Sequence, residues 1–132
     1  MPLSKDQLDT WFTYHAPTED TAPKHAAINE AFERFGRTLQ SADGLSVKDQ
    51  YTLVNNDTRG LAEVIDTNCP DSDDKTAAIR CVRLVRNFLN EVITNDTRKE
   101  DCVNPEPLVT GALTYLYAAR FQANSAIACG GK

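Results

Sequence analysis

The sequence predicts an all-α protein, built from helical hairpins or a four-helix arrangement that follows a short helix and an aromatic loop. Apolar residues recur at three- and four-residue spacing in four long segments. None of the segments shows the alternation of apolar and polar residues that is typical of a half-buried strand. The connections between them span about four to ten residues, as in paired helices.

A short helix is predicted over residues 5–11, because residues 4–7 (Ser-Lys-Asp-Gln) have the form of a capping box. The aromatic loop, residues 11–18 (Trp-Phe-Thr-Tyr-His-Ala-Pro-Thr), follows it. Its proline ends the first helix, and its last threonine can cap the next one. We expect the first two aromatic residues to be buried anchors. Tyr14 and His15 have polar ends that need partners, so they are candidates for ligand contact.

The first long helix is predicted from Glu19 or Ala22 to Gln40, with Pro23 confined to its opening turn. One face carries the apolar residues Ile28, Phe32, Phe35 and Leu39. Residues 41–44 (Ser-Ala-Asp-Gly) are typical of a turn.

The second long helix is predicted to start after the capping residue Ser46 and to end near Thr67. Its apolar seam is Val47, Tyr51, Val54, Thr58, Leu61 and Ile65. Residues 55–57 (Asn-Asn-Asp) and Gly60 favour a kink or a break. Residues 68–72 end this helix and begin the next.

A third helix is predicted from Asp73 to Thr94, then a polar loop over residues 97–106, then a fourth helix from Pro107 to Cys129. The third helix has a wide apolar face of Ala78, Cys81, Val82, Leu84, Val85, Phe88, Leu89 and Val92. The apolar residues along the fourth are Val109, Leu113, Leu116, Ala123 and Ile127. So wide a face on the third helix predicts burial on more than one side.

Length and charge limit the function. A chain of 132 residues suggests a single domain, and its net charge of −5 argues against binding to DNA, RNA or an anionic membrane. The four cysteines have no paired spacing and no secretory leader accompanies them, so we expect reduced thiols in a cytoplasmic protein. Two histidines make a structural zinc site improbable, and we expect no metal or cofactor.

Two polar groups are candidate ligand contacts. No acidic residue lies between Asp74 and Glu91, whereas this stretch carries Lys75, Arg80, Arg83, Arg86, Asn87 and Asn90. It predicts either a local anion site or a solvated face. The last helix carries Arg120, Gln122, Asn124 and Ser125, which could read a nucleobase edge or bridge helices.

An enzyme is the alternative. Glu30 with Glu33, and Glu63 with Asp66, lie three residues apart on successive helices. Such carboxylates could hold Mg²⁺ against a nucleotide, which resembles the all-α nucleoside-triphosphate pyrophosphohydrolases. A helical interaction protein without a small ligand is a third possibility.

Three segments together resemble one family: the aromatic loop, residues 69–72 (Cys-Pro-Asp-Ser) and residues 123–128 (Ala-Asn-Ser-Ala-Ile-Ala). They are similar to segments of the helical-hairpin sponges with which phages counter CBASS and Thoeris immunity. The resemblance implies a small all-α oligomer, often a hexamer, that binds a cyclic di- or trinucleotide or cyclic ADP-ribose. It implies sequestration of this signal in the host cytoplasm, without catalysis.

The resemblance also implies roles for residues. Tyr14 would stack on a base, and His15 and Lys24 would contact phosphate or ribose. Asn29 occupies the position of a basic phosphate ligand, which Lys24 or the Arg80, Arg83 and Arg86 group could replace. Arg120 and Asn124 would line a second surface.

The chain differs from the family in length, and residues 40–59 and 93–107 look like additions. The last of the three motifs matches residues 124–128 in residue type, whereas residues 90–93 lie at the family's spacing from Cys69. One chain would therefore hold the equivalent of two hairpins.

Overall fold

The protein is all-α, as the apolar periodicity predicts. The computed structural model describes residues 21–97 and 106–129, which contain four long helices and no strand. The predicted helix over residues 5–11 and the aromatic loop, with Tyr14 and His15, lie outside these ranges, as does most of the predicted loop before the last helix.

The described elements are α1 (Ala22–Gln40), a 3₁₀ turn (Ser41–Gly44), α2 (Val47–Asn68), α3 (Asp73–Thr97) and α4 (Glu106–Cys129). Their bounds agree with the predicted ones to within three residues. Contacts join α1 to α2, α2 to α3, α3 to α4, and α4 back to α1. The start of each helix meets the end of its neighbour, so adjacent helices are antiparallel in an up-down-up-down arrangement.

Local capping fixes where the helices begin. The Ser46 hydroxyl accepts a hydrogen bond from the Asp49 amide (3.2 Å), and the Ser72 hydroxyl accepts one from the Lys75 amide (3.1 Å). Each serine satisfies a backbone donor that the first helical turn leaves unpaired. Pro23 lies in the first turn of α1, where its missing N–H costs nothing.

The four helices share one apolar core. Its most deeply buried large side chains are Ile28, Ile65, Val82 and Val85. Small residues of α4 bring its backbone close to the other helices: Ala119, Ala123 and Ala126. Where α4 crosses α3, Gly111 lies directly against the Phe88 ring, which stacks on Tyr115 with 5.7 Å between ring centroids.

The α2 helix is continuous, without the break that was one of the two outcomes expected at residues 55–57 and Gly60. Its seam explains this, since Val54, Thr58 and Leu61 are buried on either side of the weak helix formers. Burial of a continuous seam outweighs about 1 kcal/mol of unfavourable propensity at a glycine.

Some of the apolar residues of α4 lie outside the core. Val109 and Leu113 are 41% and 49% exposed, and Tyr117 is 41% exposed on the same face of the helix. Val47, the first residue of the α2 seam, is also exposed. None of the described helices combines the length and the apolar character that are needed to cross a lipid bilayer.

Candidate functional site

A buried polar network joins α1 to α4. Asn124 is completely buried, and its amide contacts His25 Nδ1 (2.6 Å), Asn29 Oδ1 (3.2 Å) and the Arg120 carbonyl oxygen (2.9 Å). Arg120 Nε donates to the same Asn29 Oδ1 (3.0 Å). The network therefore brings together three residues that the sequence singled out, with His25 as an addition.

Chemistry fixes the orientation of each group in this network. Arg120 Nε can only donate, so the atom of Asn29 that faces it is the oxygen. The Arg120 carbonyl can only accept, so the Asn124 nitrogen faces it, and the Asn124 oxygen faces the ring of His25. His25 Nδ1 must then carry the proton. Both polar atoms of Asn124 are bonded within the protein, which favours the helix-bridging alternative for this residue.

The resembled family has a basic residue at the position of Asn29, and in this protein a residue of another helix supplies the positive charge beside it. Asn29 is half-buried and binds the guanidinium group of Arg120, which also lies 3.8 Å from a carboxylate oxygen of Glu33. The Arg120 side chain is 30% exposed. A cation is therefore present beside Asn29, supplied by α4 rather than by α1.

Arg83 lies elsewhere, in a cleft of about 360 Å³ between α2 and α3. We call this the arginine cleft; its lining residues are Asn55, Thr58, Arg59, Ala62, Val82, Arg83 and Arg86. Arg59 and Arg83 are exposed and Arg86 is half-buried. The described lining residues include no Asp or Glu, so three guanidinium groups create a positive potential in an acidic protein.

Two asparagines lie at the side of the arginine cleft. Asn90 Nδ2 donates to Asn55 Oδ1 (3.2 Å), which leaves the Asn55 amide nitrogen able to donate to a ligand. Asn90 Oδ1 is buried and has no hydrogen-bond partner in the described part of the protein. An unpartnered buried acceptor is unusual, because leaving one unsatisfied costs about 1–3 kcal/mol.

The arginines of α3 are not equivalent. Arg80 is exposed and does not line the cleft, whereas Arg59 of α2 does. The spacing on α3 predicted the face of Arg83, but nothing in the sequence pairs that face with Arg59. Lys24 is exposed and does not line the cleft; burial raises the pKa of the nearby Cys69 thiol, and the charge of Lys24 opposes this rise.

The four carboxylates that the enzyme alternative requires do not come together at one site. Asp66 pairs with Lys75 (3.0 Å), Glu33 lies beside Arg120, and Glu30 and Glu63 are exposed. Across residues 21–97 and 106–129, three or more His, Cys, Asp or Glu side chains nowhere come together as a metal site would require.

Cys69, the most buried of the three described cysteines, is unsuited to nucleophilic chemistry. Burial raises the pKa of Cys69 to about 11, although Lys75 and Lys24 act in the opposite direction. Its Sγ donates to the Ala123 carbonyl oxygen (3.3 Å). Because the thiolate is the reactive form, Cys69 is a packing residue at neutral pH.

Comparisons with known proteins gave no match that bears on the function. Neither a family model, nor a curated protein sequence, nor a solved structure matches this chain.

Proposed function

We propose that this protein binds a cyclic nucleotide immune signal (a cyclic di- or trinucleotide, or cyclic ADP-ribose) and sequesters it without chemical change. The arginine cleft is the observation that carries the proposal. Guanidinium groups suit phosphate because their planar N–H groups match two of its oxygens, and three of them lie in one cleft without a carboxylate among its described lining residues.

The charge requirement points to a ligand with more than one phosphate. A single phosphate monoanion would leave most of the positive charge of Arg59, Arg83 and Arg86 uncompensated. A cyclic oligonucleotide distributes two or three negative charges around a compact ring. A cleft of about 360 Å³ lies within the usual range for small-molecule sites, so it suits a compact polyanion better than a polymer.

The amides beside the arginines suit the rest of such a ligand. Asn55 is exposed and lines the cleft, so its amide nitrogen offers N–H donors to a ligand. Ribose hydroxyls and nucleobase edges present both donors and acceptors. A second cationic position, Arg120 beside Asn29, lies between α1 and α4. By resemblance to the sponge family, Tyr14 would stack on a base and His15 would contact phosphate or ribose.

The test is binding of a ligand panel to the full chain by isothermal titration calorimetry. The panel contains cyclic dinucleotides, cyclic trinucleotides and cyclic ADP-ribose isomers, with linear mononucleotides for comparison. A useful sponge needs a Kd near 1 nM, about −12 kcal/mol. Heating the complex should release the ligand with unchanged mass, and EDTA should not prevent capture.

Arg83→Gln should weaken binding about 10- to 100-fold, since a hydrogen bond to a charged group contributes about 1.5–3 kcal/mol. Arg80→Gln is the matched control, because Arg80 is on the same helix but outside the cleft. Equal losses in the two variants would contradict the assignment of the cleft. The enzyme alternative would be supported instead if the protein turned over deoxynucleoside triphosphates in the presence of Mg²⁺ and lost this activity in Glu33→Gln or Asp66→Asn.

A further inference from the structure

We propose that a second cleft, between α1 and α2, binds a planar heteroaromatic ring that presents adjacent N–H donors, as guanine does. This site goes beyond the proposed function and does not depend on it, because its ligand needs no phosphate. We call it the Gly60 cleft; its lining residues are Ala31, Arg34, Phe35, Thr38, Asp57, Gly60, Leu61 and Val64.

The base of the Gly60 cleft is apolar. Phe35 and Leu61 are each 3% exposed and Ala31 is 6% exposed, so the ring that rests on them would contact core side chains. The cleft has a volume of about 240 Å³, slightly below the usual range of about 300–1,000 Å³ for drug-sized ligands. A single ring system fits this volume better than a whole nucleotide does.

One cation and one anion stand at the rim. Arg34 is exposed and Asp57 is half-buried, and they lie too far apart to form an ion pair with each other. Neither side chain has another ion-pair or hydrogen-bond partner within the described ranges. The nearby Thr38 hydroxyl donates to the backbone carbonyl oxygen of Arg34 (2.9 Å) and leaves the guanidinium group free. Both charged groups are therefore available to a ligand.

Gly60 keeps the cleft open. A glycine in the interior of a helix costs about 1 kcal/mol relative to alanine. Packing does not require glycine here, because a Cβ atom at this position would meet nothing within 4 Å. The missing side chain instead leaves empty space between Arg34 and Asp57 above the apolar base.

These groups specify the ligand. A carboxylate only accepts hydrogen bonds, and its two oxygens can accept from two parallel N–H groups. Asp57 therefore selects a ring whose edge carries two neighbouring N–H donors. A guanidinium group stacks on aromatic faces, so Arg34 can cover the ring. Guanine offers both features, whereas adenine lacks the pair of adjacent donors.

The experiment is an NMR titration of the ¹⁵N-labelled full chain with guanosine, adenosine and inosine, none of which carries a phosphate. Guanosine should shift amides of residues 31–38 and 57–64 in a saturable way, with a Kd of about 1 mM or below. Adenosine and inosine should bind at least several-fold more weakly. No saturable shift with guanosine, or equal binding of the three nucleosides, would overturn the proposal.

Two variants test the position of the ring. Gly60→Leu should abolish the shifts by filling the cleft, and Gly36→Leu is its matched control, because Gly36 is also in a helix with open space around it and does not line the cleft. Asp57→Asn should weaken guanosine binding at least 10-fold without a large change in melting temperature, whereas Glu63→Gln should not. Guanosine binding that survives both Gly60→Leu and Asp57→Asn would place the nucleoside elsewhere and overturn the proposal.

Discussion

Substitution of Asn124 by alanine should be among the most damaging polar changes in this protein. The variant loses three hydrogen bonds, to His25 Nδ1, Asn29 Oδ1 and the Arg120 carbonyl oxygen, at a completely buried position. A typical hydrogen bond contributes about 1 kcal/mol net, and a buried polar group that loses its partner costs about 1–3 kcal/mol. We therefore expect the free energy of unfolding to fall by about 3 kcal/mol.

The consequence for melting follows from the size of the chain. For a domain of 132 residues, a loss of about 3 kcal/mol lowers the melting temperature by about 10 °C. Urea denaturation followed by far-ultraviolet circular dichroism measures the free energy, and differential scanning calorimetry measures the melting temperature.

The matched control is Asn56→Ala, the same substitution at an exposed position of α2. It should change stability by less than about 0.5 kcal/mol. If Asn124→Ala costs less than about 1 kcal/mol, the network is not the connection between α1 and α4 that its geometry indicates.

Two further predictions concern packing and assembly. Gly111→Ala should destabilise the protein by about 1 kcal/mol or more in urea denaturation, because its Cβ atom would come within 2.9 Å of the Phe88 ring, whereas Gly60→Ala should stabilise it by up to about 1 kcal/mol. Stabilisation by both alanines would show that the Phe88 ring moves aside. We also expect a homo-oligomer that uses the exposed apolar face of α4, with six chains if it assembles as the resembled family does and fewer if each chain holds two hairpins. Leu113→Asp should reduce the mass measured by light scattering, and a wild-type monomer at micromolar concentration would contradict this prediction.

The candidate sites were only partly predictable. The sequence identified Arg83 and Arg86 as members of a basic stretch without acidic residues, and residues three or four apart on a helix are neighbours whatever the tertiary structure. It also grouped Arg80 with them, although Arg80 lies outside the arginine cleft. Arg59 was missed because its proximity depends on how α2 is positioned against α3.

The buried polar network between α1 and α4 was also only partly predictable from the sequence. The sequence marked Arg120 and Asn124 as polar residues within an otherwise apolar helix, and the family resemblance singled out Asn29. That they contact one another across more than 90 positions in the chain is a property of the α1–α4 packing. His25 gave no signal, since a single histidine in a first helical turn is equally compatible with solvent.

The sequence by itself determined the secondary structure of the described residues, because apolar periodicity, proline position and serine capping act within a few residues of the chain. The caps Ser46 and Ser72 fix helix starts regardless of what surrounds them. Only the tertiary structure decided which faces of these helices meet. The core must bury the side chains of four helices at once, and that shared packing gathers the arginines in one cleft, opens another beside Gly60, and leaves Val109 and Leu113 exposed on α4.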